Sequence, residues 1–214
     1  MPDASIVLFV VASLAVIVAP GPDNVYVLTR GVAQGREVAL ASAWGMCSGL
    51  LFHTTLAAVG LSAILARSAV VFSVVKYVGA AYLVYLGVRA LLSKEEFSPS
   101  AEETPASRAR LRSFFLRGLT MNLLNPKVAV FFLAFLPQFA SPSGATADGV
   151  ALRLMVLGLI FALLSVVVFS AIALFSGVLG DRLSKNPRFA TALRWLTGCV
   201  LVGLGVRLGL SGRG

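Results

Sequence analysis

The sequence predicts an all-α, polytopic membrane protein with six transmembrane helices, arranged as two inverted three-helix repeats in which helices one and four are broken. Composition predicts the class: 58% of the 214 residues are hydrophobic and only 13% are charged, and the mean hydropathy is +0.91. A chain this apolar is not typical of a soluble domain. The arrangement follows from similarity between the two halves and from interruptions at corresponding places in them.

Six apolar segments are long enough to be spans, since a transmembrane helix needs about 20 mainly apolar residues. They cover residues 5–28, 38–65, 69–92, 114–139, 150–179 and 189–210. We expect the first to be retained, because it lacks the positive n-region of a signal peptide and exceeds its length. The polar connection divides the chain into a first repeat (1–92), a cytoplasmic linker (93–113) and a second repeat (114–214).

The distribution of lysine and arginine predicts the orientation in the membrane. With the N-terminus outside, basic residues on the inner side outnumber those on the outer side three to one. The positive-inside rule therefore favours a multi-pass protein with both termini outside. The net charge of +9 does not indicate nucleic-acid binding, because the basic residues lie between apolar segments and form no face interleaved with aromatic residues.

Predicted spans three and six are similar without gaps. Residues 83–89 and 201–207 share the pattern Leu-Val-x-Leu-Gly-Val-Arg, and Lys76 aligns with Arg194. Because each repeat has three spans, the second must enter the membrane the opposite way up. Inverted repeats of this kind are a recurrent plan of secondary transporters.

Each repeat also has an interrupted first span. Residues 19–24 read Ala-Pro-Gly-Pro-Asp-Asn, and residues 122–127 read Asn-Leu-Leu-Asn-Pro-Lys. The prolines and the glycine free backbone groups that an uninterrupted helix would pair. Paired interruptions in the two halves of a transporter point to its binding site. The residues that break the helices are Pro20, Gly21, Pro22 and Pro126.

Both interruptions carry a charge where charge is costly. Asp23, the only carboxylate within a predicted span, either carries a proton, accepts a substrate ammonium, or caps the half-helix that follows the break. Lys127 either holds a substrate carboxylate or pairs with Asp23. The two residues are the leading candidates for binding substrate and protons.

Other polar residues within the spans are weaker candidates. Asn24, Asn122 and Asn125 flank the breaks and can serve either a substrate or the freed backbone. His53 is either a proton relay or a packing residue. Lys76 either lines an outer vestibule or extends to the headgroups. Tyrosines near the span ends are expected to be interfacial anchors.

Several kinds of site are not indicated. The chain has no phosphate-binding Gly-x-x-x-x-Gly-Lys-Ser/Thr loop, no His-Glu-x-x-His and no Gly-x-Ser-x-Gly. Cys47 and Cys199 are isolated, so neither a metal site nor a disulfide framework is predicted. We therefore expect no enzyme activity, no cofactor and no metal, which favours a transporter driven by an ion gradient.

The motifs resemble a known family. They are Pro20-Gly21-Pro22-Asp23, the Gly31-x-x-x-Gly35-Arg36 loop, residues 76–87, and residues 122–127 followed by Phe131-Phe132 and residues 135–139. Together, in this order and spacing, they resemble the LysE/RhtB family of bacterial amino-acid exporters. The resemblance implies a protein of the bacterial cytoplasmic (inner) membrane that exports amino acids such as homoserine, threonine, leucine or lysine, in exchange for protons.

The resemblance directs attention to both breaks, Asn125 included, without saying which residue touches substrate. We expect a zwitterionic amino acid to bind with its ammonium near Asp23 and its carboxylate near Lys127. Protonation of Asp23 would then weaken its hold on the ammonium. Neutral amino acids are favoured, because arginines crowd the predicted inner vestibule and repel cations.

Two other functions stay open. A transmembrane thiol-disulfide electron carrier is also built from inverted three-span repeats, and would need Cys47 and Cys199 to approach each other. A membrane scaffold without transport would leave Asp23 unexplained. The expected partners are an amino acid, protons and membrane lipid, and a homo-oligomer is left open.

Overall fold

The computed structural model describes residues 3–19, 21–61, 69–92, 108–140 and 147–210. Every regular element in these ranges is helical, which confirms the all-α class. Pro20, one of the predicted helix breakers, and most of the predicted linker lie outside the described residues. The helices are α1 (Asp3–Val18), α2 (Pro22–Gln34), α3 (Arg36–Leu56), α4 (Ala69–Leu92), α5 (Arg108–Leu123), α6 (Pro126–Val130), α7 (Pro137–Ala140), α8 (Ala147–Leu174), α9 (Ser176–Lys185) and α10 (Pro187–Leu210), with π-helical segments at Ala57–Leu61 and Phe131–Phe135.

The described helices account for three to five membrane spans. Ser73–Leu92, Gly149–Leu174 and Thr191–Leu210 are each long and apolar enough to cross a bilayer alone. Two bent pairs qualify if each pair is one span: α1 with α2 at 55°, and α5 with the α6–α7 segment at 45°. These pairs are the predicted first and fourth spans, so both expected breaks are present.

The predicted second span corresponds to α3 and its π-helical extension. This helix has 21 residues but is not among the described helices that are apolar enough to count as spans, and it carries the polar residues Ser42, His53 and Thr54. The three side chains are buried, because α3 packs against α2, α5 and α8. A helix covered by protein can carry polar groups that a lipid-facing helix cannot.

Large apolar side chains are exposed on the outer faces of several helices. Val59, Val70 and Leu163 expose 69%, 68% and 66% of their surface. A surface this apolar is unsuited to water and suited to lipid tails. Together with the apolar helices, it makes the chain a multi-pass membrane protein.

Proline determines where the second half of each broken span begins. Pro22 and Pro126 each occupy the first turn of a new helix, where the missing amide hydrogen is no loss. The residues before them, Gly21 and Asn125, are extended and act as N-caps. Both breaks therefore consist, in order, of a capping residue, a proline and a charged residue, which is Asp23 in the first break and Lys127 in the second.

Aromatic packing holds the segment behind the second break in place. Phe131 is fully buried, and its ring centroid lies 4.8 Å from that of Phe161 on α8 and 6.3 Å from that of Phe9 on α1. Phe135 stacks on the same ring at 5.2 Å. The second half of the broken span is thus fixed against one helix from each predicted repeat.

Helices α4 and α10 approach through a reciprocal glycine contact. A methyl group on Gly87 would lie 2.7–2.8 Å from atoms of Gly198 and Val202. A methyl group on Gly205 would lie 2.8–2.9 Å from atoms of Ala80 and Val84. In the sequence alignment of spans three and six, each residue of the first contact corresponds to a residue of the second. The contact is therefore unchanged when the two helices are exchanged.

Helices α3 and α5 are also in backbone contact, and this contact can be tested. A side chain on Gly118 would collide with the backbone of Ser42, so we expect Gly118→Ala to destabilise the protein by about 1–3 kcal/mol. Thermal unfolding in detergent measures the change. Gly203→Ala on α10 is the matched control, because nothing lies within 4 Å of the position that its methyl group would take. Equal unfolding temperatures for the two variants would contradict the packing.

Candidate functional site

The two charges at the helix breaks form an ion pair. Lys127 Nζ donates to Asp23 Oδ1 over 3.1 Å, and the two residues are only 5% and 3% exposed. The same ammonium donates to the Ala19 carbonyl over 3.2 Å. Of the two sequence-based alternatives for Lys127, pairing with Asp23 is therefore observed.

The position of each charge in its helix explains why the pair needs both members. Asp23 lies in the first turn of α2, where the helix dipole favours a carboxylate. Lys127 lies in the first turn of α6, where the same dipole disfavours an ammonium. Its compensation comes from Asp23 and from Ala19, whose carbonyl lies at the C-terminal end of α1. Without Asp23, the buried ammonium would keep only the neutral Ala19 carbonyl as a partner.

Asp23 does not cap α2. Among the described residues, its side chain makes no hydrogen bond to backbone, and its hydrogen-bonding partner is Lys127. The interpretation of Asp23 as a helix cap is therefore wrong. The physical reason is that Gly21 already occupies the cap position, which puts Asp23 too far into the helix.

Gly21 makes room for the ion pair. A methyl group at this position would lie 2.7 Å from Asp23 Oδ1 and 3.0 Å from Lys127 Nζ. The backbone of Gly21 is extended, with φ of −153°, so any residue could adopt it. Space beside the ion pair, and not backbone conformation, is what requires glycine here.

Two of the predicted asparagines serve the broken backbone. Asn24 Nδ2 donates to the carbonyls of Ile17 and Val18, at 2.9 and 3.3 Å. Asn125 Oδ1 accepts from the amide of Lys127 at 3.0 Å and so caps α6. Freed groups at both breaks are thus satisfied by neighbouring side chains, as buried backbone requires.

His53 serves the backbone from a separate helix. Its Nε2 donates to the carbonyl of Asn122 over 3.1 Å, and the amide of Asn125 donates to the same oxygen over 3.0 Å. The ring is buried and lies 5.7 Å from Phe132, centroid to centroid. His53 therefore caps the end of α5 from α3, whereas Asn122 Oδ1 is buried with no hydrogen-bond partner among the described residues.

A cavity of about 550 Å³ lies beside the ion pair, between α2 and α5. It is large enough for an amino acid. Its wall is mostly apolar and includes polar residues from both breaks. The residues that line it are Pro22, Asp23, Tyr26, Arg117, Thr120, Met121, Leu124, Asn125 and Pro126.

Sequence reasoning missed five of the residues that line this cavity, namely Tyr26, Arg117, Thr120, Met121 and Leu124. Tyr26, predicted to be an interfacial anchor, lines the cavity instead, and its hydroxyl is buried without a partner in the described part of the chain. Tyr26 follows Asp23 by three residues, which places both side chains on one face of a helix. This spacing is the sequence signal that could have identified Tyr26 as a site residue. In the sequence, Arg117 contributed only to the count of basic residues that predicts the orientation in the membrane.

Lys76, a predicted vestibule residue, lies on α4 with its ammonium 4.8 Å from the centroid of the Tyr77 ring, and it does not line the cavity.

The two cysteines are separate. Cys47 is buried on α3, Cys199 is exposed on α10, and both are free thiols. Within the described ranges, no group of three or more histidine, cysteine or acidic side chains is placed to hold a metal ion.

Comparison with known proteins identifies relatives over nearly the whole chain. The family model described as LysE type translocator matches residues 14–212. An uncharacterized membrane protein of Bacillus subtilis is 30% identical over 97% of this chain and 99% of its own length. A leucine efflux protein of Klebsiella pneumoniae is 30% identical over 94% of this chain and 92% of its own. A homoserine/homoserine lactone efflux protein of Salmonella typhi is 34% identical over 63% of this chain and 64% of its own. No solved structure matches the chain.

The buried ion pair can be tested by neutralising each partner. Asp23→Asn and Lys127→Met should each destabilise the protein by about 3–5 kcal/mol, because each leaves the other charge buried and unpaired. The double variant should lose less stability than the sum of the losses in the two single variants. Thermal or denaturant unfolding in detergent measures all three.

The matched control is the ion pair between Asp181 and Lys185 on α9. Its separation is 2.8 Å, but its side chains are 69% and 76% exposed. Neutralising that pair should cost less than about 1 kcal/mol, since exposed pairs contribute little. Additive losses from Asp23→Asn and Lys127→Met would show that the two residues are not coupled.

Proposed function

The chain belongs to the LysE type translocator family, and from that premise we propose that it exports a neutral amino acid across the bacterial cytoplasmic membrane in exchange for protons. The observation that carries the proposal is the buried pair of Asp23 and Lys127 beside a cavity of amino-acid size. Membership of a translocator family supports transport over catalysis as the role of this site.

Substrate binding opens the ion pair. A zwitterionic amino acid carries an ammonium and a carboxylate on neighbouring atoms, so it can replace Lys127 at Asp23 and replace Asp23 at Lys127. Each protein charge then keeps an opposite partner, which avoids the cost of an unpaired charge in the membrane. Asn125 and Asn24 hold the backbone of the two breaks while the pair is open. Asn122 does not line the cavity; its amide oxygen is buried beside Gly49 of α3 and has no partner among the described residues, so the proposal gives it no direct contact with the ammonium.

Proton exchange acts on Asp23. When its carboxylate takes a proton from the outer side, it loses the charge that holds the substrate ammonium, and the amino acid leaves. When Asp23 faces the inner side and releases the proton, it can bind the next ammonium. Protons and amino acid thus alternate at one carboxylate, and the inward proton gradient drives export.

The proposed layout has six spans in two inverted repeats. The first repeat is residues 1–92, the linker at 93–113 is cytoplasmic, and the second repeat is 114–214, with both termini outside. The reciprocal glycine contact between α4 and α10 supports this symmetry, because helices related by a two-fold axis make equivalent contacts from both sides. The matching cap, proline and charge at the two breaks supports it from a second place in the chain.

Two observations support a preference for neutral amino acids: the positive charge near the cavity and the names of related proteins. Arginines line and surround the approach to the cavity, which disfavours cationic substrates. Relatives include leucine and homoserine efflux proteins, and both of those amino acids are neutral.

The electron-carrier alternative has no support in the placement of the thiols. It requires two cysteines that meet, whereas Cys47 and Cys199 are free thiols on different helices, one buried and one exposed. His53 and Lys76 have no direct role in the proposed transport, because His53 serves the backbone of α5 and Lys76 lies away from the cavity lining.

The central role of Asp23 predicts a specific transport defect. In proteoliposomes containing the purified chain, Asp23→Asn should abolish amino-acid movement driven by a proton gradient, because the side chain can no longer exchange a proton. The double variant Asp23→Asn/Lys127→Met has no unpaired buried cation. If it folds and still shows no proton-driven movement, the defect is a loss of proton coupling and not a loss of fold. A wild-type rate in the single variant would refute the proton role of Asp23.

The substrate can be identified in cells. Bacteria that express the chain should accumulate less of one neutral amino acid when fed dipeptides than cells that express the double variant. Mass spectrometry of all intracellular amino acids names the substrate without prior choice. A fall confined to lysine or arginine would contradict the neutral preference, and no change in any amino acid would contradict export itself.

A further inference from the structure

We infer that Arg117, supported by Arg30, forms an entry site that receives the carboxylate of the incoming amino acid and rejects substrates with a cationic side chain. This inference rests on the proposed function. It adds a specificity-determining site that is distinct from the ion pair, and it follows from how arginines converge beside the cavity.

Three arginines surround the ring of Phe114, which is 5% exposed. The guanidinium carbons of Arg30 and Arg117 each lie 5.4 Å from its centroid, and that of Arg110 lies 5.6 Å away. Arg30 comes from α2 and the other two from α5, so the cluster bridges the helices on either side of the cavity. Ring contacts of this kind hold a guanidinium in place while leaving its N–H groups free to donate.

Arg30 and Arg117 carry positive charge that no carboxylate in the described part of the chain balances. The two ion pairs there are those of Asp23 and of Asp181, and neither includes Arg30 or Arg117. Among the described residues, Arg30 Nε is buried with no hydrogen-bond partner, and its guanidinium carbon lies 5.1 Å from the centroid of the Tyr26 ring, whose hydroxyl is likewise buried and unpartnered. Buried donors without acceptors are costly, and a carboxylate supplies the missing acceptors.

The cavity connects this cluster to the ion pair. Arg117 and Thr120 line the cavity that contains Asp23, and they also line a second cavity of about 480 Å³ that extends along α5 to Arg112. Arg112 lies toward the predicted cytoplasmic end of this helix, and Arg117 lies between Arg112 and the helix break. A solute that enters from that side meets Arg117 before it reaches Asp23.

The order of charges along this path determines what enters. An amino-acid carboxylate pairs with Arg117 at the entrance and is then passed to Lys127, one positive group to the next. A second positive charge on the substrate meets arginine at the entrance with no described carboxylate to offset the repulsion. Arg117 therefore selects for neutral amino acids by excluding lysine-like ones.

Exchange in proteoliposomes of phosphatidylcholine tests this site. The probes are radiolabelled leucine, homoserine and lysine, each measured over a range of concentrations. Arg117→Gln should raise the KM of the transported neutral amino acid by roughly tenfold, the loss expected for one charge-assisted hydrogen bond, with little change in maximal rate. Arg117→Lys should retain most of the affinity, and Arg117→Glu should admit lysine.

Arg182→Gln is the matched control, since it removes the same charge from an exposed position on α9, away from the cavity. An unchanged KM in Arg117→Gln together with continued exclusion of lysine by Arg117→Glu would overturn the inference. A defect that appears only when the vesicles contain phosphatidylglycerol would assign Arg117 to lipid headgroups and overturn it as well. If the wild-type chain exchanges none of the probes and exports no amino acid from cells, the proposed function itself fails.

Discussion

The structure around the two helix breaks depends on one buried ion pair. Taking a carboxylate and an ammonium out of water costs several kcal/mol for each ion, and their attraction returns that cost only in good geometry. The surroundings supply that geometry: Gly21 leaves space, Ala19 offers its carbonyl, and Asn125 fixes the turn that presents Lys127. An apolar pair would hold the same helices together at lower cost, so the retention of charge here indicates a use beyond stability.

The two breaks are alike in construction and opposite in charge. Each consists of an extended cap, a proline and a charged residue in the first turn of a new helix. A two-fold arrangement would bring two like charges together if the repeats were identical in sequence. Because one break carries aspartate and the other lysine, the two charges attract each other, and in the proposed function they give the site one end for each charge of a zwitterion.

Much of this was predictable from the sequence, because the signals were local. Proline forces a helix to restart, so both breaks were predicted at the residues where they occur, and an intramembrane charge predicts a partner of opposite sign. Contacts that depend on tertiary packing were not predictable. The capping of α5 by His53 joins residues 69 positions apart, and the convergence of Arg30 on Phe114 depends on how α2 crosses α5. The misjudged role of Asp23 as a cap came from placing the helix start after Asp23, whereas α2 already begins at Pro22.

The neutrality of the ion pair has an electrical consequence. With Asp23 and Lys127 paired, the site has no net charge, and a bound zwitterion leaves it at zero. In the proposed transport cycle, movement of the empty or amino-acid-loaded site across the membrane is therefore insensitive to the membrane potential. Protonation of Asp23 leaves the Lys127 charge alone, so only the proton-loaded form feels the potential, at about 2.3 kcal/mol per 100 mV if the charge crosses the full membrane. In the proposed exchange, a negative interior draws that form inward, and voltage then accelerates only the return half of the export cycle.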